Sequence, residues 1–418
     1  MTTGRKLVLL GSLYLAQGLP YGFFTQALPV LLRKQGMALP LIGLAQLLTL
    51  PWALKLLWAP LVDGVRAPRL GRRRAVIVPL QLATAAILAT LALAATPGAM
   101  EAMAAAVLLV NLCSATQDIA TDGLAVEVLA PAERGLGNAL QVGGYRLGMV
   151  LGGGLMLVVF GRAGWTAAFV SMAALVLATT VPILAHREPP RPPAAPAPGA
   201  GGGPVKLALA GVRAALARPG MWRWLPVIAT YKVGEWFASA MLRPFLTDAK
   251  LSLEDFGVMV GFVGSGASLL GAAIGGAATR WLGRRRALLL FGVLQTLAIA
   301  SMALAVQFPS EPMFYAVTVA EHLSSAMATT ALFTAMMDFC RPEEAGTDYT
   351  VQASVVVVAT GAASALSGVS AGALGFGPHF VAAAALSAAG VLVVRAYRPA
   401  EPSFALIGPV RSAASGVD

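Results

Sequence analysis

Six ionisable side chains, Lys55, Asp118, Arg146, Lys232, Glu235 and Glu321, stand inside stretches otherwise too apolar to meet water. Asp122 lies one helical turn beyond Asp118, and His322 adjoins Glu321. A charge in such surroundings is expensive, so it normally faces a cavity or a partner. Buried carboxylates and an imidazole can exchange protons, while Lys55, Arg146, Lys232 and Arg243 can hold a carboxylate or phosphate. Bond-breaking chemistry is poorly served. The histidines at 186, 322 and 379 are scattered, and Cys113 and Cys340 have neither disulfide nor metal-ligand spacing. The glycine-rich stretches lack the Gly-Lys-Ser/Thr of a phosphate loop. No enzyme, metal or cofactor is expected.

Helical spacing gathers the polar residues onto faces. Asn111, Ser114, Asp118, Thr121 and Asp122 fall on one side of a helix, as do Thr318, Glu321, His322, Ser325 and Thr329. Tyr14, Gln17, Tyr21 and Thr25 form a third stripe, and Lys232, Glu235, Ser239 and Arg243 a fourth. Lipid-facing stripes are apolar, so these four are expected to line a water-filled cleft. Gln17, Tyr21, Lys55, Asn111, Asp118, Asp122, Arg146, Lys232, Glu235, Glu321 and His322 are the candidates for substrate or proton binding. Asp118 and Arg146 are equidistant from the 128–136 loop, which predicts an ion pair between adjacent antiparallel helices. Lys55 either joins the cleft or snorkels toward the cytoplasm. Lys232 and Glu235, three apart, can neutralise each other.

The elements that carry these faces are set by composition. Of 418 residues, 57% are hydrophobic and 12% charged, against about 45–50% and ~25% in soluble domains. Such a chain is a polytopic membrane protein. Twelve stretches reach the ~20 residues of a spanning helix: 7–32, 41–62, 75–95, 102–127, 137–160, 164–185, 221–246, 256–279, 287–307, 312–337, 349–374 and 378–396. At 1.5 Å per residue Lys55 lies about 12 Å from its cytoplasmic end, Asp118 and Arg146 about 14 Å, Lys232 about 16 Å and Glu235 about 20 Å. Glu321 lies about 14 Å from the external end, so the six charges share one layer of a slab about 30 Å thick.

The net charge of +11 reads as a topology signal and an attraction to anionic lipid, not as nucleic-acid binding. With the N-terminus inside, 21 of the 30 Lys and Arg fall in cytoplasmic segments, and Arg33, Lys34, Arg162 and Lys250 alone fall outside. The positive-inside rule therefore places both termini in the cytoplasm. Arg5 and Lys6 precede 26 residues without a charge, Leu7 to Leu32, which suits an anchor retained in the membrane.

The chain also repeats itself. Leu70-Gly-Arg-Arg-Arg-Ala75 recurs as Leu282-Gly-Arg-Arg-Arg-Ala287, Leu39–Gly43 matches Leu253–Gly257, and Pro131–Gln141 matches Pro342–Gln352, at offsets of 212, 214 and 211. Common spacing in corresponding loops implies two related six-helix halves, 1–185 and 221–398. Parallel repeats of this kind place a binding site between them. Residues 186–220 form a Pro/Gly-rich linker whose 206–218 stretch suits a short helix on the membrane surface, and 399–418 a polar, disordered tail. Asp63, Arg72, Arg73, Arg74, Glu127, Arg280, Arg284, Arg285, Arg286 and Asp338 fall at cytoplasmic ends and are assigned to a gate and its packing. Gly144, Gly148 and Gly152, and Gly271 and Gly275, are small-residue steps that let helices approach closely.

The architecture and the Gly-Arg-Arg-Arg loops resemble the major facilitator superfamily. Gln17–Gly22, Pro51–Asp63, Gln117–Asp122 and Gly144–Gly148 are similar to its peptide–acetyl-CoA transporter family, which includes AmpG-like muropeptide permeases, acetyl-CoA transporters and siderophore importers. Tyr231–Glu235 is also shared with an orphan vertebrate protein of the superfamily. The chain departs from the muropeptide permeases in lacking two extra helices and in a longer basic loop between Asp63 and Gly71. The resemblance implies an all-α fold of twelve helices in two pseudo-symmetric bundles, in a monomer that carries a bulky polar solute (muropeptide-like, acyl-CoA-like or siderophore). The expected function is secondary transport by alternating access, coupled to protons, in a bacterial inner membrane. The alternatives are a uniporter without proton coupling and a transport-inactive receptor or scaffold.

Overall fold

A computed structural model describes residues 1–28, 31, 48, 50–65, 67, 70–93, 100–188, 203–249, 255, 257–395 and 397. Arg33, Lys34, Lys250, the first part of the second expected span, residues 189–202 of the 186–220 linker and the 399–418 tail lie outside the described residues. Among the described residues the chain is helical, without strands. In order, the helices are α1 (Thr3–Gly22), α2 (Leu50–Leu54), α3 (Ala59–Asp63), α4 (Arg74–Leu93), α5 (Met100–Val128), α6 (Arg134–Val150), α7 (Met156–Ala185) and α8 (Gly203–Leu216). Then follow α9 (Met221–Thr230), α10 (Val233–Asp248), α11 (Gly264–Leu282), α12 (Arg284–Gln307), α13 (Glu311–Asp338), α14 (Ala345–Leu374) and α15 (Phe376–Val394).

Eight described stretches are long and apolar enough to cross a membrane, and Arg134–Ala185 is long enough for two spans. Its helix breaks at Gly164, whose φ of 81° only glycine adopts without strain. The α9–α10 pair and α13 are not among the eight. Lys232 interrupts the first, and Glu321, His322 and five interior Ser or Thr residues dilute the second. The elements bearing Lys232, Glu235 and Glu321 are thus passed over by a hydropathy criterion, whereas those bearing Asp118, Asp122 and Arg146 satisfy it.

Helices α1 and α4–α7 pack on one another, and α9–α15 do likewise. Close approach inside the first group rests on small residues. A Cβ on Gly148 of α6 would stand 2.5 Å from Leu15 O and 2.8 Å from Gly18 Cα of α1, so dispersion contacts and backbone proximity replace the hydrophobic drive that lipid removes. The two groups meet through α5 and α14, α6 and α11, α6 and α13, and α3 and α14. One apolar cluster continues across this junction, from Leu10, Tyr14 and Ala125 to Trp224, Met336 and Tyr349.

The linker contains a short helix, α8, where the sequence predicts one. It packs against α3 and α14, with Gly211 beside Pro60 and Thr347, Ala215 fully buried, and Arg218 3.3 Å from Asp348. One side of the helix is thus covered by α3 and α14, while Leu209 and Leu216 stay exposed at 65% and 40%.

Candidate functional site

Lys55 opens a short 3-10 turn, Lys55–Leu57, between α2 and α3, and Lys232 caps α10 at the break after α9. Both lysines therefore stand where a membrane helix is interrupted, a backbone arrangement tolerated only where protein or water satisfies the freed groups. Each cation builds a cluster in its own half of the chain.

In the first half, Lys55 Nζ donates to Asp118 Oδ2, and both residues are less than 8% exposed. Asp122, one turn on, accepts from Tyr14 Oη at 3.0 Å and Gln141 Nε2 at 3.1 Å. Tyr349 of the second half donates to Gln141 Oε1 at 3.2 Å, so Asp122 is tied to the far bundle through one side chain. Above the lysine, Trp52 Nε1 donates to Asn111 Oδ1 at 3.0 Å. The Trp52 ring lies 5.7 Å from Lys55 Nζ, 5.7 Å from the Tyr21 ring and 6.2 Å from the Tyr145 ring. Gln17, 1% exposed, has no hydrogen-bond partner on either amide atom among the described residues.

In the second half, Lys232 Nζ donates to Gln295 Oε1 at 2.8 Å and lies 3.2 Å from Glu235 Oε2. Ser325 donates to Glu235 at 2.9 Å, and Ser239 donates to Glu321 at 2.5 Å. His322 Nδ1 stands 2.6 Å from Glu321 and 3.0 Å from Thr318 O. Lys232 and Glu235 neutralise each other, as three-residue spacing allows, and the imidazole is at once a packing residue and the carboxylate's partner.

Arg146 is the exception. It makes no ion pair with Asp118, contrary to the expectation from loop symmetry, and no hydrogen bond or ion pair with any described residue. Equal depth does not give equal phase. Tyr145 turns toward Tyr21 and Trp52, and Arg146, about 100° further round α6, lies within electrostatic reach of Glu321 and Glu235. Lys55, not Arg146, neutralises Asp118, so it does not snorkel out. Arg243 is exposed and likewise unpaired among the described residues. The interior thus holds two compensated clusters with an uncompensated guanidinium directed from one toward the other.

The assigned gate residues fall into two groups. Asp63 lies 2.5 Å from Arg73 and accepts from the Thr347 backbone N–H at 2.6 Å, which joins the halves. Glu127 binds Arg72 at 2.6 Å and Arg73 at 2.8 Å. Asp338 binds Arg284 at 2.7 Å and Arg134 at 2.6 Å. Arg280 and Arg286, by contrast, are exposed without an ion pair among the described residues, and Arg285 only donates to Arg395 O at 2.9 Å. Arg74 reaches the His186 carbonyl at 3.4 Å. Arg280, Arg285 and Arg286 are exposed and Arg74 is half-buried, and none of the four has an ion pair across the junction among the described residues.

Trp52, Tyr145, Gln141, Tyr349, Gln295, Arg134 and Glu188 were not singled out by residue type or spacing. Gln141 carried a signal, since it ends the repeated Pro131–Gln141 segment, but repetition alone assigned it no role.

Comparison with known proteins decides the family. A model described as Major Facilitator Superfamily matches residues 10–364. The chain belongs to the Major Facilitator Superfamily. It is 30% identical over 352 residues to the anhydromuropeptide permease of Escherichia coli K12, covering 82% of this chain and 70% of that protein. It is 23% identical to a putative transporter, AmpG 4, of Rickettsia conorii, covering 81% and 84%. Among solved structures, the human organic anion transporter MFSD10 superposes with a TM-score of 0.75 at 17% identity, covering 94% of this chain and 100% of that one. FucP in its outward conformation gives 0.69 at 14% identity, covering 94% and 98%. The superfamily's all-α membrane fold and its transport activity are therefore those of this chain's family, and the family's members are transporters, not enzymes.

Proposed function

We propose that the chain is a secondary transporter that moves an anionic, ring-bearing solute of the anhydromuropeptide class by alternating access, coupled to protons. The observation that carries the reading is the unpaired Arg146 between two neutralised clusters. A solute carboxylate completes Arg146, and the Tyr21–Trp52–Tyr145 surface receives a sugar face, as aromatic rings do for amphipathic ligands. The free amide of Gln17 supplies one donor and one acceptor in the same half.

The halves 1–185 and 221–398 move against each other in this scheme, with 186–220 as linker. The positive-inside count puts the arginine-rich end and both termini in the cytoplasm. The state described is then closed to the cytoplasm, held by Asp63–Thr347, Arg72–Glu343, Arg134–Asp338 and Arg284–Pro131. Likeness to bacterial permeases favours a bacterial inner membrane. Asp118, Asp122, Glu235 and Glu321 are the proton-carrying candidates, because each is a buried carboxylate whose partner a substrate or a proton can displace.

Uptake of labelled anhydromuropeptide into proteoliposomes under an imposed proton gradient tests the reading. Accumulation that collapses with Arg146→Gln supports it. Gradient-independent equilibration indicates a uniporter, and no movement of any tested solute indicates a receptor or scaffold.

A further inference from the structure

The two Gly-Arg-Arg-Arg loops are equivalent in sequence but not in what fills them. In the first, Gly71 adopts a φ of 89°, and the backbone N–H groups of Arg73 and Arg74 donate to the Glu188 carboxylate at 3.2 and 2.6 Å. Glu188 Cδ stands 2.7 Å from where a Cβ on Gly71 would be. A carboxylate from the start of the linker therefore occupies the cradle formed by a left-handed glycine and the first free N–H groups of α4.

In the second loop the counterparts 212 residues on are Gly283, Arg285 and Arg286. Gly283 has a φ of 75°, α12 begins at Arg284, and the Ala287 N–H donates to Gly283 O at 3.0 Å as the Ala75 N–H donates to Gly71 O at 3.0 Å. No atom of the described residues lies within 4 Å of a Cβ built on Gly283. A surface cavity of about 290 Å³ opens there, lined by Leu282, Gly283, Arg284, Arg285, Arg286 and Leu289. Arg284 is committed to Asp338 and the Pro131 carbonyl, and Arg285 to the Arg395 carbonyl. The exposed Arg286 guanidinium has no partner among the described residues.

The cavity lies at the edge of the apolar slab. Gly283 alone separates two stretches apolar enough to span, Val258–Leu282 and Arg284–Gln307, and Trp281 is 80% exposed beside it. An exposed Trp next to arginines is the composition of a membrane–water boundary.

We propose that this cavity binds the phosphate of an acidic phospholipid headgroup, which takes in the second half the place that Glu188 takes in the first. The phosphate oxygens accept from the Arg285 and Arg286 N–H groups and from the Arg286 guanidinium. Leu282, Leu289 and Trp281 lie against the glycerol and upper acyl chain, which a free anion would leave uncovered.

Native mass spectrometry of the full chain, released from micelles doped with phosphatidylglycerol or phosphatidylcholine, tests this. Wild type is expected to retain phosphatidylglycerol in preference, and Arg286→Gln to lower the retained fraction about fivefold, the effect of one cation at a lipid surface. Arg162→Gln, an exposed arginine distant in sequence, should change nothing. Thermal unfolding confirms that both variants remain folded. Equal retention by wild type and Arg286→Gln, or equal retention of the two lipids, would overturn the proposal. So would stabilisation by millimolar inorganic phosphate as large as that by phosphatidylglycerol, which would make the cavity a free-anion site.

Discussion

Arg72 and Arg284, 212 residues apart, make the same two contacts. Arg72 binds Glu127 of its own half at 2.6 Å and donates to the Glu343 carbonyl of the other at 2.7 Å. Arg284 binds Asp338 of its own half at 2.7 Å and donates to the Pro131 carbonyl of the other at 2.5 Å. Each acid orients an arginine that the opposite loop then uses as a donor, so the repeated sequence produces a repeated latch. Removing one latch should leave the other. Asp338→Asn, which loosens both Arg284 and Arg134, is expected to shift the closed-to-open balance by about 1–3 kcal/mol. Spin-label distances across the arginine-rich end should broaden toward longer values; an unchanged distribution would remove the latch from the mechanism.

The same junction is set by glycines. A Cβ on Gly276 of α11 would lie 2.5 Å from the Gly135 carbonyl of α6, a backbone atom that cannot swing aside. Gly276→Ala should therefore prevent full closure while leaving each half folded. Greater reactivity of a cysteine introduced at exposed positions near the junction, with an unaltered helical circular dichroism signal, is the expected outcome.

Lys55 and Asp118 form a buried pair whose single loss leaves a charge uncompensated. Lys55→Met or Asp118→Leu alone is expected to cost about 3–5 kcal/mol, and the double substitution much less. Thermal unfolding in detergent checks the non-additivity. Additive losses would mean that the two residues do not pair.

At the end of the bundle, Lys6 Nζ at 2.5 Å and the Thr3 hydroxyl at 2.6 Å hold Glu133 down at about 2 from its ordinary 4.5. Because the folded value is depressed, the stabilisation is complete above pH 4.5 and disappears as pH falls through about 2. Glu133 is solvated, so the effect is small and salt-sensitive. The difference in thermal midpoint between wild type and Lys6→Gln should narrow as the pH is lowered below 4.5. A gap independent of pH would assign the loss to packing.

Much of this was legible in residue order. Long nonionic runs gave spans, the 211–214 offsets gave equivalent loops, and those loops gave the paired latches. Asp122, Glu321 and His322, which the polar stripes expected to line a cleft, each have a polar partner inside the bundle. What failed was phase. Depth along a helix follows from counting, but which neighbour a side chain meets depends on rotation, and a single step from Tyr145 to Arg146 turned the guanidinium away from Asp118. The unwound turns at Lys55 and Lys232 also shift side chains in ways that an ideal helix does not. The Glu188 carboxylate was hidden because linker composition says nothing about where one glutamate folds back.

The most direct measurement is proton-driven uptake of labelled anhydromuropeptide by reconstituted wild type and Arg146→Gln, with binding of the same ligand followed in parallel. Alternating access around Arg146 requires gradient-dependent accumulation by wild type, and loss of both binding and uptake in the variant at unchanged thermal stability. Wild-type accumulation that persists at full rate in Arg146→Gln would contradict it.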